Sequence, residues 1–215
     1  MLKIYAIAAV VAILAMLGGL WYYVAVAPRG DIFANCRESS VAGGTAAIGG
    51  SFTLVSETGE TVTDADVITK PSLIYFGYTF CPDVCPLDAA RNAEAVEILA
   101  EQGVDVQPVF ITIDPARDTP EVLAEWTDYL HPDMLGLTGT PEQIKAASQT
   151  YKTYFAKRNA DDPEYYLMDH SVFSYLVLPE HGFVEFFRGA PNALGPGVEA
   201  QEVADRAACF IKAAS

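Results

Sequence analysis

The sequence predicts a mixed α/β domain carried behind one membrane-crossing helix. Three observations predict it: an uncharged apolar run near the N-terminus, buried-strand patterns alternating with helix patterns through the middle of the chain, and a hairpin pattern followed by a helix at its end. At 215 residues the chain has room for one full domain with a short appendage, but hardly for two. One functional site is therefore expected.

Lys3 is the only charge in residues 1–27, and the run from Ile4 to Ala27 carries none. At about 1.5 Å rise per residue that run is long enough to cross a bilayer as a helix. The rival is a cleaved signal peptide, because Ala25-Val26-Ala27 has the small-residue pattern of a cleavage site. Against it, Pro28 would follow the cut, and the run exceeds the roughly 7–15 residues of a signal h-region. Trp21, Tyr22 and Tyr23 suit an aromatic belt at the outer interface. Lys3 and the terminal amine supply a weak positive-inside signal, partly balanced by Arg29. Residues 1–27 thus read as a transmembrane anchor with its N-terminus inside. Residues 28–46, rich in Gly, Ser and Ala without periodicity, read as a flexible linker, and 47–215 as the domain.

Within the domain, alternation around Glu57-Thr58-Gly59-Glu60 predicts a β-hairpin, and the apolar run from Pro71 to Thr79 a buried strand. A helix follows from Leu87, with Gly103 as its stop, and then a second buried strand up to Asp114. Thr119-Pro120-Glu121 and Thr140-Pro141-Glu142 each place a Thr at the N-cap, Pro in the first turn and an acid just inside, so each starts a helix. A short strand around Leu135 lies between them. Residues 156–170 are expected to form a loop. Residues 171–179 and 183–189, joined by a turn at Glu180-His181-Gly182, predict an antiparallel hairpin, and the chain ends in a helix. Strand, helix, strand, helices, hairpin and helix is the thioredoxin order, here with an added N-terminal β-hairpin.

Without the anchor, 12 basic residues (13 less Lys3) face 28 acidic ones, a net charge of −16. Nucleic acid is a poor partner for such a surface. The acidity can attract cations or basic proteins, or simply keep an exported domain soluble. The four cysteines form one close pair, Cys81 and Cys85, and two outliers, Cys36 and Cys209. In an oxidising compartment a Cys36–Cys209 bridge would tie the two ends of the domain together; the alternative is two unpaired thiols.

The motif TFCPDVCP puts Cys81 and Cys85 where the buried strand meets the helix, and helix N-terminal amides stabilise thiolates there. The i, i+4 spacing sets the sulfurs about one helical turn apart, where they can close a disulfide or chelate. Two soft thiolates suit Cu(I) or Zn, and an imidazole would complete the set. Of three histidines, His131 reads as a helix C-terminal residue and His181 as a solvated turn residue. His170 precedes the strand that should abut the cysteine-bearing helix, so it is the expected third ligand. Asp169 is a candidate to orient the imidazole, with a plain turn residue as the alternative reading. Met168 reads as packing.

In four segments the chain resembles the Sco/SenC family of cytochrome c oxidase assembly proteins: YFGYTFCPDVCP from Tyr75, FITIDPARDTP from Phe110, GLTGTPEQI from Gly136 and YLMDHS from Tyr166. The resemblance runs from about Ile48 to the C-terminus. It implies a copper chaperone holding the metal through Cys81, Cys85 and His170, and serving the binuclear copper centre of oxidase subunit II. It also implies thiol–disulfide activity toward that subunit, with Cys81 and Cys85 as the redox pair. Asp114, Arg117 and Asp118 match an acidic loop of the family, read first as loop structure and second as a client surface.

The competing function is a membrane-anchored dithiol oxidoreductase, in which Cys81 attacks, Cys85 resolves and His170 is not needed. A thiol peroxidase lacks any recognisable peroxide-activating pattern, and an electron-carrying copper site lacks a well-placed axial methionine. The N-terminus has no Arg-rich amphipathic character, so a bacterial cytoplasmic membrane with a periplasmic domain is expected rather than a mitochondrion.

Overall fold

A computed structural model describes residues 2–25, 31–37, 44–159, 165–191 and 195–215. The chain divides into two compact units, Met1–Ala34 and Asn35–Ser215. In the first, helix α1 (Leu2–Ala25) contains a 19-residue span, Tyr5–Tyr23, of mean hydropathy 2.0 with none of it buried. It is long and apolar enough to cross a membrane. Trp21, Tyr22 and Tyr23 stand exposed near its C-terminal end.

Of the predicted linker, residues 28–30 and 38–43 lie outside the described residues. The rest has local structure. The Phe33 amide donates to Asp31 Oδ1 at 3.0 Å, and Thr45–Ala47 form a single 3-10 turn. Cys36 is bonded to Cys209, with Cα atoms 5.7 Å apart, so the bridge expected between the outlying cysteines is present. Arg37 reinforces that attachment by donating to the Val184 carbonyl at 2.8 Å.

The second unit is built on strands β1 (Thr53–Ser56), β2 (Thr61–Thr63), β3 (Ser72–Gly77), β4 (Gln107–Thr112), β5 (Leu135–Thr138), β8 (Phe173–Leu178) and β9 (Gly182–Arg188). They form one seven-stranded sheet in the order β2-β1-β5-β4-β3-β8-β9. β3, β4 and β5 run parallel; β1 joins β5, and β8 joins β3, antiparallel. Every residue of β3 is buried, as a central strand covered on both faces requires, and this is why it reads as a continuous apolar run.

The helices are α2 (Asp64–Val67), α3 (Val84–Glu101), α4 (Pro120–Leu130), α5 (Pro141–Thr150) and α6 (Ala200–Ala214). The capping signals act as expected: Thr119 accepts from the Val122 amide and Thr140 from the Gln143 amide. Short α2 was not predicted, although Thr63 and Asp66 make its capping box. The main correction concerns residues 156–170. They are not all loop: β6 (Phe155–Arg158) pairs antiparallel with β7 (Leu167–His170) in a separate two-stranded sheet, and His170 is the last residue of β7.

Buried Arg91 on α3 donates to the carbonyls of Arg188 and Val198 and to Ser174 Oγ, at 3.0–3.1 Å. One guanidinium thereby ties α3 to β8, to the end of β9 and to the segment before α6. Buried Glu185 on β9 meets Arg206 on α6 at 3.2 Å.

Candidate metal centre

Where β3 ends, the chain must pass close to the first turn of α3. A Cβ on Gly77 would lie 2.7 Å from Tyr75 Cε1, 2.9 Å from Phe110 Cε2 and 3.1 Å from Cys85 Sγ, so only glycine fits. Two residues on, Asp118 accepts from the Thr79 amide (3.1 Å) and hydroxyl (2.6 Å), anchoring the loop that carries Cys81. The helix begins at Val84, three residues earlier than predicted, so Cys85 lies in its first turn and Cys81 in the loop before it. The sulfurs therefore do not lie one turn apart along a shared helix. They converge because the Cys85 amide donates to Cys81 Sγ at 3.4 Å. Asp83, at the N-cap, makes no side-chain cap, and the Cys81 sulfur takes over that role.

His170 comes from β7. Its Nε2 lies 3.2 Å from Cys85 Sγ, and its Nδ1 lies 2.9 Å from the Ser171 carbonyl. A carbonyl only accepts, so Nδ1 carries the hydrogen and Nε2 turns its lone pair toward the sulfur. The rings of Tyr75 and Tyr78 meet the imidazole edge-on, with centroids 6.2 and 5.9 Å away. The Tyr78 hydroxyl accepts from the Met168 amide at 3.2 Å, which holds β7 against the loop after β3. One ligand atom each from Cys81, Cys85 and His170 all lie within 4.8 Å of one another, a cluster that can hold a metal ion.

The two thiols are electrostatically unequal. The Cys81 thiol is drawn down to about 3, chiefly by the hydrogen bond from Cys85 and further by the backbone amides of Cys85 and Asp83, against the opposing effect of burial. Burial pushes the Cys85 thiol far up, and its hydrogen bond with Cys81 adds to that. The pair thus holds one thiolate and one proton at neutral pH. A second thiolate needs a cation beside it.

Cys81 and His170 line an open groove of about 730 Å³, together with Val84, Met168 and Arg188, whereas Cys85 is fully buried behind them. Asp169 does not orient the imidazole. Neighbours on a strand face opposite ways, and the Asp169 carboxylate pairs instead with Arg158 at 3.5 Å, both largely exposed. Met168 is buried in the core cluster. His131 caps α4 and accepts from the Asp133 amide at 3.0 Å, and His181 lies in the β8–β9 turn; neither joins the cluster.

Asp114 is buried and accepts from Arg117 Nε and from the Tyr166 hydroxyl. The Arg117 guanidinium stacks 3.7 Å from the Tyr166 ring centroid and 4.5 Å from that of Phe80. Asp114, Arg117 and Asp118 therefore act as loop structure, clamping the segments that carry Cys81 and His170. Sequence reasoning missed Gly77, Tyr75, Tyr78 and Arg91 as supports of the site. A signal existed for Gly77 alone, a glycine inside an apolar strand run.

A thioredoxin-like sheet with two thiols at a helix N-terminus and an imidazole aimed between them defines a protein built to hold a soft metal ion or to exchange disulfides. Comparison with known proteins narrows that class. The SCO1/SenC family model matches residues 40–195. Protein SenC of Rhodobacter capsulatus is 51% identical over 212 residues, 98% of this chain and 91% of that protein. The mitochondrial SCO1 homolog 1 of Arabidopsis thaliana is 40% identical over 176 residues, 79% of this chain but 52% of that longer protein. Among solved structures, Arabidopsis thaliana ScoI with copper bound is 38% identical with a TM-score of 0.68, covering 78% of this chain and 98% of that one. Bradyrhizobium japonicum ScoI with copper bound is 34% identical with a TM-score of 0.65, covering 75% and 98%. The chain belongs to the SCO1/SenC family, which is linked to cytochrome c oxidase assembly.

Proposed function

We propose that the protein is a copper metallochaperone that binds copper through Cys81, Cys85 and His170 and supports assembly of the binuclear copper centre of cytochrome c oxidase subunit II. The observation that carries the proposal is the convergence of three ligand atoms within 4.8 Å, with the imidazole lone pair turned toward the sulfurs. The donor set fits the cargo: two thiolates and one imidazole are soft ligands suited to Cu(I). A monovalent cation also offsets the charge that opposes ionisation of Cys85. Cys81 and His170 border the groove, so a client's ligands can replace them one at a time while Cys85 still holds the metal; no electron transfer is required. Residues 1–27 anchor the protein in a bacterial cytoplasmic membrane, 28–46 serve as linker, and 47–215 present the site on the periplasmic side, where subunit II is the client.

The test is an anaerobic Cu(I) titration of the reduced full chain in detergent against a competing chelator. One copper per chain is expected, with binding weakened at least about tenfold, or 1.4 kcal/mol, in His170→Ala. Absence of competitive binding by the unaltered chain would sink the proposal.

A second reading is favoured by the asymmetry of the thiols. Cys81 is ionised and borders the groove while Cys85 is buried, the arrangement of an attacking and a resolving thiol. The Cys81 thiolate would attack a client disulfide and release one client thiol. Cys85 would then close the Cys81–Cys85 bond and release the other, so that the client gains the two electrons this pair loses. His170→Ala should retain that activity while losing copper.

A further inference from the structure

Behind the metal cluster lie two buried polar atoms that the proposed chemistry has not used. The Tyr75 hydroxyl and Asp88 Oδ2 are inaccessible to solvent, and neither makes a hydrogen bond of good geometry among the described residues. Such orphans are rare in a folded interior, and each calls for an explanation. Both residues are themselves almost wholly buried, at 1% exposure each. Asp88 Oδ1 is engaged by the Ala190 amide; Oδ2 is the spare atom.

The Tyr75 ring and Cys85 Sγ pack against the same point of the backbone, the bare Cα of Gly77. The ring also stands edge-on to His170. Its hydroxyl lies within reach of both the Cys85 sulfur and the Asp88 carboxylate. A phenol has one hydrogen to give and here faces two acceptors. His170 cannot serve as a donor to Cys85, because Nδ1–H is committed to the Ser171 carbonyl and Nε2 presents its lone pair. A thiolate in a dry interior is costly unless hydrogen-bonded; the Tyr78 backbone amide already serves Cys85, and the Tyr75 hydroxyl is a side-chain donor set beside it.

We propose that Tyr75 is a positioning residue of the metal site: its hydroxyl donates a hydrogen bond to Cys85 sulfur when that residue ligates as a thiolate, and Asp88 is the competing acceptor for the same hydrogen. The role rests on the copper reading and deepens it. It also accounts for the orphan hydroxyl, which waits for an acceptor that becomes strong only once Cys85 has lost its proton. Hydrogen bonds from neighbouring groups commonly tune metal ligands in this way.

The test uses the full chain in detergent, fully reduced for anaerobic Cu(I) competition and loaded with Cu(II) for absorption. Tyr75→Phe keeps the ring and removes only the hydroxyl. Cu(I) binding should weaken about tenfold, the low end for a hydrogen bond to a charged group. Its Cu(II)–thiolate charge-transfer band should move to longer wavelength, because the sulfur lone pairs rise in energy without the donor. The thermal midpoint before copper is added should not fall, since the hydroxyl makes no good hydrogen bond there. Asp88→Asn retains an oxygen for the Ala190 amide and leaves sulfur as the sole anionic acceptor, so its band should move to shorter wavelength. Unchanged affinity and an unchanged band in Tyr75→Phe, with one copper still bound by the unaltered chain, would overturn the role of Tyr75 and leave the copper site standing. Band shifts of the same sign in both variants would also overturn it, by indicating a packing effect. Failure of the unaltered chain to bind copper would remove the copper reading and the role of Tyr75 together.

Discussion

Cys81 and Cys85 differ in what surrounds each sulfur, and the difference has a pH signature. The Cys81 thiol is held at about 3, mainly by Cys85, so its alkylation by iodoacetamide should be flat between pH 5 and 8, where an ordinary thiol gains about tenfold per unit. Peptide mass mapping would read this, and Cys85 should remain unmodified in the folded protein. A tenfold rise per unit at Cys81 would refute it. Linkage gives the matching stability statement. A depressed folded value contributes stability that is fully present above the ordinary thiol value of 9.0 and is lost as pH falls toward about 3. The reduced chain should therefore gain stability relative to Cys81→Ser as pH rises through that window, as denaturant midpoints at several pH values would report. Asp169→Asn, by contrast, should leave Cu(I) affinity within about twofold, because the Ser171 carbonyl holds Nδ1.

At the scale of elements, the end of β3 and the start of α3 form one unit. Gly77→Ala would force a methyl group against Tyr75, Phe110 and Cys85 Sγ. Unfolding in urea should show a loss of about 1–3 kcal/mol, the usual cost of overpacking, together with weaker copper binding. Arg91→Met should cost about 2–3 kcal/mol, since it takes the guanidinium donor from the Arg188 and Val198 carbonyls and unties α3 from them, while Ser174 Oγ keeps Asn92. β3, β4, the hairpin strands and the Thr-Pro helix starts were legible because apolar runs and caps are local signals. β6 and β7 were not. Each is four residues long, with at most one face buried, and Lys157, Arg158 and Asp169 read as loop composition. What makes them strands is pairing with each other, a partner that no local window contains.

For the whole molecule, the Cys36–Cys209 bond closes a loop with a sequence separation of 173 residues and joins the N-terminal edge of the domain to its last helix. A Cys36→Ala/Cys209→Ala double variant should be about 3–5 kcal/mol less stable by chemical denaturation, because so long a loop restricts the unfolded chain strongly. Copper stoichiometry should stay the same, since the bridge lies outside the Cys81, Cys85 and His170 cluster.

Composition and pattern alone determined that the chain begins with an apolar run long enough to cross a membrane, and has a thioredoxin-type order of elements and a paired-thiol motif at a strand–helix junction. These follow from apolar length, periodicity and capping, which are properties of neighbouring residues. Bringing the Cys81, Cys85 and His170 ligand atoms within 4.8 Å, aiming Nε2 at sulfur, burying one thiol more deeply than the other and leaving Tyr75 and Asp88 behind them were decided by the tertiary structure. Each depends on residues far apart in sequence packing around the bare Cα of Gly77.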